Sequence, residues 1–331
     1  MTIDCGGEVA RAAKILQQGG LVAFATETVY GLGADALNPA AVARVFEVKD
    51  RPAFDPLIVH LADSAWVSRL TRTVAPAARK LMDVFWPGPL SIVLPKADCV
   101  PDLVTAGLPD VALRIPGHPL ARKLLSAVDR PVAAPSANVF GRISPTSAAH
   151  VAEQFSTGID YILDGGSCTV GVESTVVRIR TDPDRPEQFQ CELLRPGGVT
   201  IEQLSAVVGS VAVVEEREHP ELQSRCAPGR LPRHYAPRTP LEITTGSTPV
   251  ATGQRIGLLS RGPVENPERF AVIETLSQTG DLSECAVGFF AALRRLDSAE
   301  LDRILAEPFP EEGLGRALND RLRRAANTFH A

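Results

Sequence analysis

The sequence has few aromatic residues, no clustered cysteines and no long apolar run, and each absence narrows the possible function. Phe, Trp and Tyr make up only 5% of the 331 residues, which leaves little material for stacking nucleic-acid bases. The six cysteines form no Cys-x-x-Cys or Cys/His cluster, so neither a zinc site nor a disulfide framework is expected. No apolar segment approaches the roughly 20 residues that cross a bilayer. The sequence therefore predicts a soluble protein of the reducing cytoplasm, without membrane contact.

The common nucleotide-binding motifs are absent or misplaced. No Gly-Lys-Ser/Thr occurs, which excludes the usual P-loop, and no G-x-S-x-G marks a hydrolase nucleophile. Residues 31–36 fit the dinucleotide pattern G-x-G-x-x-A, but the next helix is predicted to begin only at Pro39. These glycines therefore cannot place a pyrophosphate at a helix N-terminus, and we expect a glycine turn instead of a nicotinamide site.

The rest of the composition is that of a folded protein with two domains. Hydrophobic residues make up 44% of the chain, enough for a substantial core, and 331 residues exceed the size at which one core usually stops growing. The net charge of −5 provides no general attraction for nucleic acid, although a local basic cleft is compatible with it.

Alternating strand and helix patterns predict an α/β fold with a twisted mixed sheet in residues 1–214. Strands are predicted at residues 21–25, 57–60, 90–94, 111–115, 131–134, 161–163 and 174–179, and helices at 8–18, 39–48, 75–85, 119–128 and 145–155. Strands at 241–243, 255–259 and 270–273 and helices at 282–296, 299–306 and 314–326 predict a smaller C-terminal Rossmann-like α/β domain over residues 241–331.

Residues 215–240 are interpreted as a Pro/Arg-rich linker of unusual composition. The segment contains Arg230, Arg233, His234, Tyr235 and Arg238, whereas passive spacers are rich in Ser, Gly and Glu. Its prolines hold it semi-rigid, which predicts that it acts as a lid over a site in the first domain.

Cationic and polar side chains recur where the predicted helices and strands end. Lys49 and Arg51 follow a helix on a loop stiffened by Pro52 and Pro56, an arrangement suited to phosphates. Further residues of this kind are Arg114, Ser136, Ser144, Ser174 and Arg195. Because strand ends of an α/β sheet share one crevice, these residues together predict a pocket for an anionic ligand.

Each of these residues also has a simpler explanation when taken alone. Isolated arginines usually solvate a surface, and Ser144 directly before Pro145 suits a helix N-cap. His60 ends an apolar strand, where a hydrogen-bonded structural imidazole is at least as common as a base, so it is assigned a binding role only.

Eight motifs follow one another along roughly the first two hundred residues. They are TETVYGLG (26–33), KDRPAFDPL (49–57), FWPGPL (85–90), LRIPGHP (113–119), PSAN (135–138), SPT (144–146), GVESTVV (171–177) and LLRPG (193–197). In this order they resemble the YrdC family, the threonylcarbamoyl-AMP synthases. HYAP at 234–237 and GLGRALNDRLRRAA at 313–326 are similar to the linker and second domain of the longer family form.

The resemblance implies an enzyme that converts L-threonine, bicarbonate or carbon dioxide, and ATP into L-threonylcarbamoyl-AMP and pyrophosphate. Mg²⁺ would arrive with ATP and be held mainly by it, with no metal ligand from the protein and with neither zinc nor nicotinamide. A downstream threonylcarbamoyl transferase complex would use the product to modify the adenosine beside the tRNA anticodon. A weak contact of this chain with tRNA belongs to the same expectation.

The resemblance also implies roles for individual residues. L-threonine would be held by Thr28, His60, Arg114, Ser174 and the backbone of Ala134, with the Arg114 fork on the carboxylate. ATP would be held by Lys49, Arg51, Asp55, Asp110, Ser136, Ser144, Arg195 and, from the linker, Tyr235. Lys49 and Arg51 would be catalytic because they spread charge over the transferring phosphorus and the leaving group.

Three residues depart from the family pattern, and two alternative functions stay open. Asp55 stands where the motif more often has Asn, Phe140 replaces a small residue, and Ala134 lacks a hydroxyl often found there. One alternative is an RNA-binding module in which the arginines line a groove for the phosphate backbone. The other is a carbamoyl-adenylate enzyme of specialised metabolism that uses a different amine.

Overall fold

A computed structural model describes residues 3–182, 185–214, 234–244 and 253–326. Its secondary structure forms two sheets, and the predicted mixed α/β fold with a second, smaller α/β domain is confirmed. Most of the predicted linker, residues 215–233, lies outside the described residues, and Arg230 and Arg233 lie there as well.

The described residues of the first domain contain eleven strands that join in one sheet. They are β1 (Cys5–Gly6), β2 (Val22–Phe24), β3 (Gly31–Asp35), β4 (Ile58–His60), β5 (Leu90–Pro95), β6 (Asp110–Arg114), β7 (Val132–Ala133), β8 (Tyr161–Leu163), β9 (Thr175–Asp182), β10 (Arg185–Arg195) and β11 (Val211–Val213). Their order is β1-β8-β2-β3-β7-β4-β6-β5-β9-β10-β11, with parallel and antiparallel neighbours mixed.

Helices and short turns connect these strands and cover the sheet. They are α1 (Val9–Gln17), α2 (Pro39–Lys49), α3 (Val67–Leu70), α4 (Pro76–Phe85), α5 (Asp102–Thr105), α6 (Pro119–Val128), α7 (Ala148–Ala152) and α8 (Ile201–Val208), with a 3-10 turn at Ser64–Trp66. The apolar faces of α1 and α6 pack together on β2 and β8, whereas α2 and α4 contribute to the larger cluster on the other side.

Helix α2 places the two predicted phosphate-binding cations. The Asn38 side chain accepts hydrogen bonds from two backbone N–H groups of the first turn, and Pro39 is pre-organised for a helical start. The helix ends where Asp50 adopts a left-handed conformation with φ of 51°. Lys49 before this residue and Arg51 after it are both buried.

In the part of the second domain that the structure describes, four strands form a parallel sheet that packs with helices. Its elements are β12 (Leu241–Ile243), β13 (Ile256–Ser260), β14 (Val272–Thr275), β15 (Arg303–Ala306), α9 (Leu282–Asp297) and α10 (Leu314–Ala326), with a 3-10 turn at Pro267–Arg269. The strand order is β12-β15-β13-β14, and every pair is parallel.

An apolar cluster joins the two domains through the linker. Val29 and Val172 of the first domain and Tyr235 belong to the same buried cluster as Phe289 and Phe290 of α9. Gly171 of the GVESTVV motif makes this approach possible, because a Cβ atom there would lie 2.2 Å from the carbonyl oxygen of Ala286. The C-terminal domain therefore packs directly onto a motif of the first domain.

Two secondary-structure predictions were wrong. Residues 31–35 form strand β3 and not a glycine turn, because they pair antiparallel with β2 and β7. A Cβ atom on Gly33 would lie 2.9 Å from the Phe24 ring, so glycine is needed there for packing. Residues 299–306 were predicted as a helix, but Arg303–Ala306 is strand β15, which lies between β12 and β13. A short apolar run such as this one fits a helix or a strand, and its pairing with β12 and β13 makes it a strand.

The predicted N-cap role of Ser144 was also wrong. Helix α7 begins at Ala148, and the Ser147 side chain caps it by accepting from the backbone N–H of His150. The Ser144 hydroxyl is fully buried and donates to Glu173 instead.

Within the described ranges, no helix combines the length and the apolar character of a membrane-spanning segment.

Candidate active site

A cleft lies where β3, β4, β6 and the segments after β7 and before β9 meet. The part of it that can hold the centre of a water molecule has a volume of about 50 Å³. The side chains and backbone that line it are those of Thr26, Thr28, Val29, Gly31, Arg51, Ile58, His60, Arg114, Ala134, Pro135, Ser136, Glu173, Ser174, Arg195, His234 and Tyr235. Strand ends, polar turns and the described end of the linker thus converge on one site, as expected for an open α/β sheet.

One side of the cleft is built around Arg114, the last residue of β6. Arg114 Nη2 lies 2.6 Å from Glu27 Oε1, Nη1 donates to Thr28 Oγ1 at 3.0 Å, and Nε donates to the Gly88 carbonyl at 3.1 Å. Burial alone would raise the pKa of Glu27, but the Arg114 charge and hydrogen bonds from Arg114 and the backbone together hold this pKa below its usual value. We call Glu27, Thr28, His60, Arg114 and Ala134 the Arg114 side.

His60 contributes a neutral ring to the Arg114 side. The ring is buried edge-on against Phe24, with centroids 6.0 Å apart. Burial, reinforced by the Arg114 charge, lowers the pKa of His60 to about 3. The imidazole is therefore uncharged near neutral pH, which suits hydrogen bonding to a ligand and makes it a weak base.

The opposite side is built around Arg51. Arg51 Nη2 lies 2.8 Å from an Asp55 carboxylate oxygen and 3.1 Å from the Pro56 carbonyl, while Lys49 Nζ donates to the carbonyls of Ser136 and Asn138. Burial lowers the pKa of both cations, and Arg51 lowers that of Lys49 further. Burial also raises the pKa of Asp55, despite its cationic neighbours.

Arg195, the last residue of β10, adds a third cation to this side. Its Nη2 donates to the carbonyl and hydroxyl oxygens of Ser174 at 2.9 and 3.2 Å. Ser174 Oγ in turn lies 2.8 Å from Ser91 Oγ. We call Lys49, Arg51, Asp55, Ser136 and Arg195 the Arg51 side; its three cations against one carboxylate leave two excess positive charges, an arrangement suited to a polyanion.

Tyr235 closes the cleft from the linker. Its ring packs 5.6 Å from Phe290 of α9, and its hydroxyl is buried with no hydrogen-bond partner among the described residues. Its backbone is left-handed, with φ of 63°, a strained conformation for an aromatic residue. Burial raises the pKa of this phenol to about 12, so the hydroxyl keeps its proton and stays available as a donor.

The structure brings most of the predicted site residues together. The cleft is lined by Thr28, Arg51, His60, Arg114, Ala134, Ser136, Ser174, Arg195 and Tyr235. Lys49 and Asp55 lie behind this lining, bonded to the Ser136 carbonyl and to Arg51 respectively, and Ser144 lies behind Glu173. Asp110 does not join them, because it begins β6 whereas Arg114 ends it, about 13 Å along the strand.

Glu173 is a cleft residue that the sequence reasoning did not single out. Its Oε1 accepts a 2.6 Å hydrogen bond from Ser144, and its Oε2 lies 3.0 Å from Arg321 Nε. The sequence did contain a signal for it, because Glu173 is the carboxylate of the GVESTVV motif and stands directly before the predicted site residue Ser174. Its partner Arg321 lies 148 residues away in sequence, which no local pattern connects.

Comparison with known families gives matches to both parts of the chain. Residues 14–197 match the Sua5/YciO/YrdC model, described as telomere recombination. Residues 199–327 match a model described as the C-terminal domain of threonylcarbamoyl-AMP synthase.

Relatives of known name match over nearly the whole length. The threonylcarbamoyl-AMP synthase of Pyrococcus abyssi is 41% identical over 328 residues, covering 95% of this chain and 93% of that protein. The synthase of Bacillus subtilis is 41% identical over 329 residues, covering 96% and 93%. A crystal structure of P. abyssi Sua5 complexed with L-threonine superposes with a TM-score of 0.88 at 39% identity, covering 98% of each chain.

Proposed function

Because this chain belongs to the Sua5/YciO/YrdC family and carries the C-terminal domain of the threonylcarbamoyl-AMP synthases, we infer that its cleft makes L-threonylcarbamoyl-AMP. The chain is an L-threonylcarbamoyladenylate synthase, and L-threonine is its amino-acid substrate. The single observation that carries the assignment to this cleft is its division into a charge-balanced Arg114 side and a cationic Arg51 side.

The Arg114 side suits L-threonine, a zwitterion. Arg114 offers its remaining N–H groups to the substrate carboxylate while Glu27 keeps the local charge near zero. The neutral His60 ring and the Thr28 hydroxyl lie beside Arg114, where they suit the polar atoms of the amino acid. Ala134 lines the cleft on the same side, close to Gly31.

The Arg51 side suits the triphosphate of ATP. Lys49 ends α2, Arg51 follows on the adjoining loop and Arg195 ends β10. All three are held by backbone carbonyls, so their charges are fixed before the ligand arrives. When bound with ATP, Mg²⁺ supplies further charge neutralisation at the phosphates. We propose that the phosphates hold this ion, since the Asp55 carboxylate is already paired with Arg51.

The proposed reaction needs no covalent bond to the protein. The neutral threonine amine adds to carbon dioxide, and the N–H proton is released as the carbamate forms. A carbamate oxygen then bonds to the ATP α-phosphorus, while the bond to the oxygen bridging the α- and β-phosphates breaks and pyrophosphate leaves with the electron pair. Arg51 and Arg195 stabilise the charge that develops on phosphorus and on the leaving group.

We further propose that the linker acts as a lid on this site. The described end of the linker supports this: Tyr235 is buried in the cleft, and the Ala236 N–H donates to the Gly141 carbonyl at 2.8 Å.

The exposed free thiols of Cys5 and Cys99 support a reducing compartment, the cytoplasm. Transfer of the product by a downstream complex and a weak tRNA contact stay predictions.

Mass spectrometry of the purified protein with Mg-ATP, bicarbonate and L-threonine tests the proposal directly. We expect a carbamoyl-adenylate and pyrophosphate that appear only when threonine is present. Retained ATP binding without this product would instead favour a different amine. Failure of both, together with RNA binding that weakens steeply with salt, would favour the RNA-binding alternative.

A further inference from the structure

The C-terminal helix α10 sends one side chain into the wall of the cleft. Arg321 is completely buried, and its Nε lies 3.0 Å from Oε2 of Glu173, which lines the cleft in the other domain. Its Nη1 donates to the carbonyl of Pro196, the residue after Arg195. One guanidinium from the second domain thus contacts two segments that shape the Arg51 side.

Glu173 extends this contact to Ser144. Glu173 Oε1 accepts a 2.6 Å hydrogen bond from the Ser144 hydroxyl, which has only one proton to donate. While Glu173 is anionic, that proton is committed to it. Ser144 then belongs to a chain that runs from Arg321 through Glu173, and it is not a free donor to a phosphate.

A carboxylate in this position opposes the binding of ATP. Glu173 is buried and borders a site whose proposed ligand carries several negative charges, so like charges would meet in a poorly solvated cleft. The charges around it are balanced from the second domain. Arg321 lies between Glu173 and Asp320, and Arg324 Nε lies 3.0 Å from the other oxygen of Asp320.

Arg321 also contacts the closing segment. Its guanidinium carbon lies 5.5 Å from the centroid of the Tyr235 ring, within the range of a cation–π contact. One terminal nitrogen of Arg321, Nη2, is buried with no hydrogen-bond partner among the described residues. The same side chain therefore contacts Glu173, the segment after β10 and the linker.

We propose that Arg321 is a positioning residue of the synthase: it neutralises Glu173 and supports Tyr235, and thereby makes the nucleotide end of the cleft able to accept a triphosphate. This inference rests on the proposed function of the cleft. It assigns the C-terminal domain a share in nucleotide binding, since without Arg321 the first domain alone would present an unbalanced carboxylate to ATP.

A purely structural ion pair is the competing explanation, and it makes different predictions. Breaking a buried ion pair by removing one partner is strongly destabilising. If Arg321 served only to hold the domains together, its loss would lower the melting temperature, but the folded protein would bind ATP and threonine as before. A positioning role instead predicts a selective loss of ATP affinity.

The test uses the full chain and calorimetric titration with ATP and, separately, with L-threonine. For Arg321→Met we expect ATP binding to weaken about 10-fold or more, the size of one charge-assisted interaction, with threonine affinity within twofold of the parent. Adding Glu173→Gln should restore most of the ATP affinity, because no unpaired carboxylate then faces the phosphates. Equal loss for both ligands, or no restoration, would overturn the proposal.

Arg316→Met is the matched control. Arg316 lies on the same helix and also pairs across the domain boundary, with Glu202, but this pair is solvent-exposed. We expect both affinities to remain within twofold, because exposed ion pairs contribute little. A loss of ATP affinity as large as that of Arg321→Met would show that any contact between the domains suffices, and would contradict a specific role for Arg321.

Glu173→Gln alone covers the case in which Arg321→Met does not fold. With residue 173 neutral, the Arg321 charge would be offset by Asp320 but no longer by Glu173, which leaves more positive charge near the phosphates, and we expect ATP to bind at least threefold tighter. Unchanged or weaker ATP binding would overturn the inference. The parent protein's synthesis of the carbamoyl-adenylate is measured alongside, so that failure of the proposed function is distinguished from failure of this role for Arg321.

Discussion

The two sides of the cleft solve opposite electrostatic problems with similar residues. On the Arg114 side, one arginine faces one glutamate and the histidine is neutral, so the local charge is close to zero. On the Arg51 side, three buried cations face one carboxylate. The first arrangement suits a ligand with no net charge, and the second suits a polyanion.

The two sides also differ in the electrostatic repulsion between their buried charges in the free protein. Crowded buried cations disfavour one another, and burial lowers the pKa of Lys49, Arg51 and Arg195 in the free protein. Phosphates would relieve this repulsion, so under the proposed function part of the binding energy of ATP would come from charges that the fold has already brought together. The Arg114 side carries no such excess and depends on directed hydrogen bonds instead.

Arg51→Ala tests the Arg51 side and has the largest expected effect. We expect synthesis to fall by about 10²-fold or more, because a preorganised charge at the transferring phosphoryl group is lost. Turnover is measured with both substrates saturating, and circular dichroism establishes that the variant is folded. Arg72→Ala, at an exposed ion pair with Asp98, is the control and should leave turnover unchanged. Full activity in a folded Arg51→Ala protein would refute the assignment.

Arg114→Lys tests the other side. Lysine keeps the charge beside Glu27 but loses the planar fork, so we expect the KM for threonine to rise about 10- to 100-fold, the loss of one charged hydrogen bond. The Kd for ATP should stay within twofold. Arg130→Lys, whose parent side chain pairs with Asp35 at a half-exposed position, serves as the control. Equal losses for the two ligands would mean that the sides are not independent.

Tyr235→Phe sharpens the comparison through the closing segment, with a smaller effect. The Tyr235 hydroxyl is buried without a partner among the described residues, so its removal should not lower the melting temperature. If the hydroxyl is reserved for the nucleotide, ATP binding should weaken about 3- to 10-fold. Tyr30→Phe is the matched control: its hydroxyl donates to the Gly166 carbonyl at 2.8 Å, so its loss should destabilise the fold and spare ATP affinity.

The sequence predicted the position of Lys49 and Arg51 at the end of α2 because the signals for it are local. The Asn38 cap and Pro39 mark the start of α2, and the prolines after it mark the loop that carries Arg51. Strand β3 was missed because its residues lack the local signal of a strand, an alternation of apolar and polar side chains. Its glycines are there because the chain packs closely against Phe24. Local patterns do not contain that contact.

The long-range pairs could not be predicted from one sequence. Glu27 and Arg114 are 87 residues apart, and Glu173 and Arg321 are 148 apart, so only the folded chain brings them together. Sequence reasoning assigned Arg114 to a ligand carboxylate without seeing that Glu27 already neutralises it. It likewise assigned Ser144 to ATP without seeing that Glu173 takes its proton.

The pH dependence of stability tests the neutral state of His60. It has the smallest expected effect of these tests, a change in the free energy of unfolding. The pKa of His60 is about 3 in the native protein and near 6.5 when unfolded. As the pH falls below 6.5, the unfolded chain therefore takes up a proton that the native protein does not, and native stability decreases down to about pH 3. Between pH 7.5 and 5 this one group should cost about 2 kcal/mol of unfolding free energy.

His60→Gln removes that contribution and leaves those of the other histidines in place. Urea unfolding at pH 7.5 and pH 5 should therefore show a smaller loss of stability for the variant than for the parent. His150, whose pKa burial lowers to about 4, and His234, whose pKa is also lowered by burial, titrate alike in both proteins and cancel in the difference. Parallel pH profiles would mean that the pKa of His60 is the same in the native and the unfolded protein, so that the ring takes up a proton near pH 6.5 and burial does not keep it neutral.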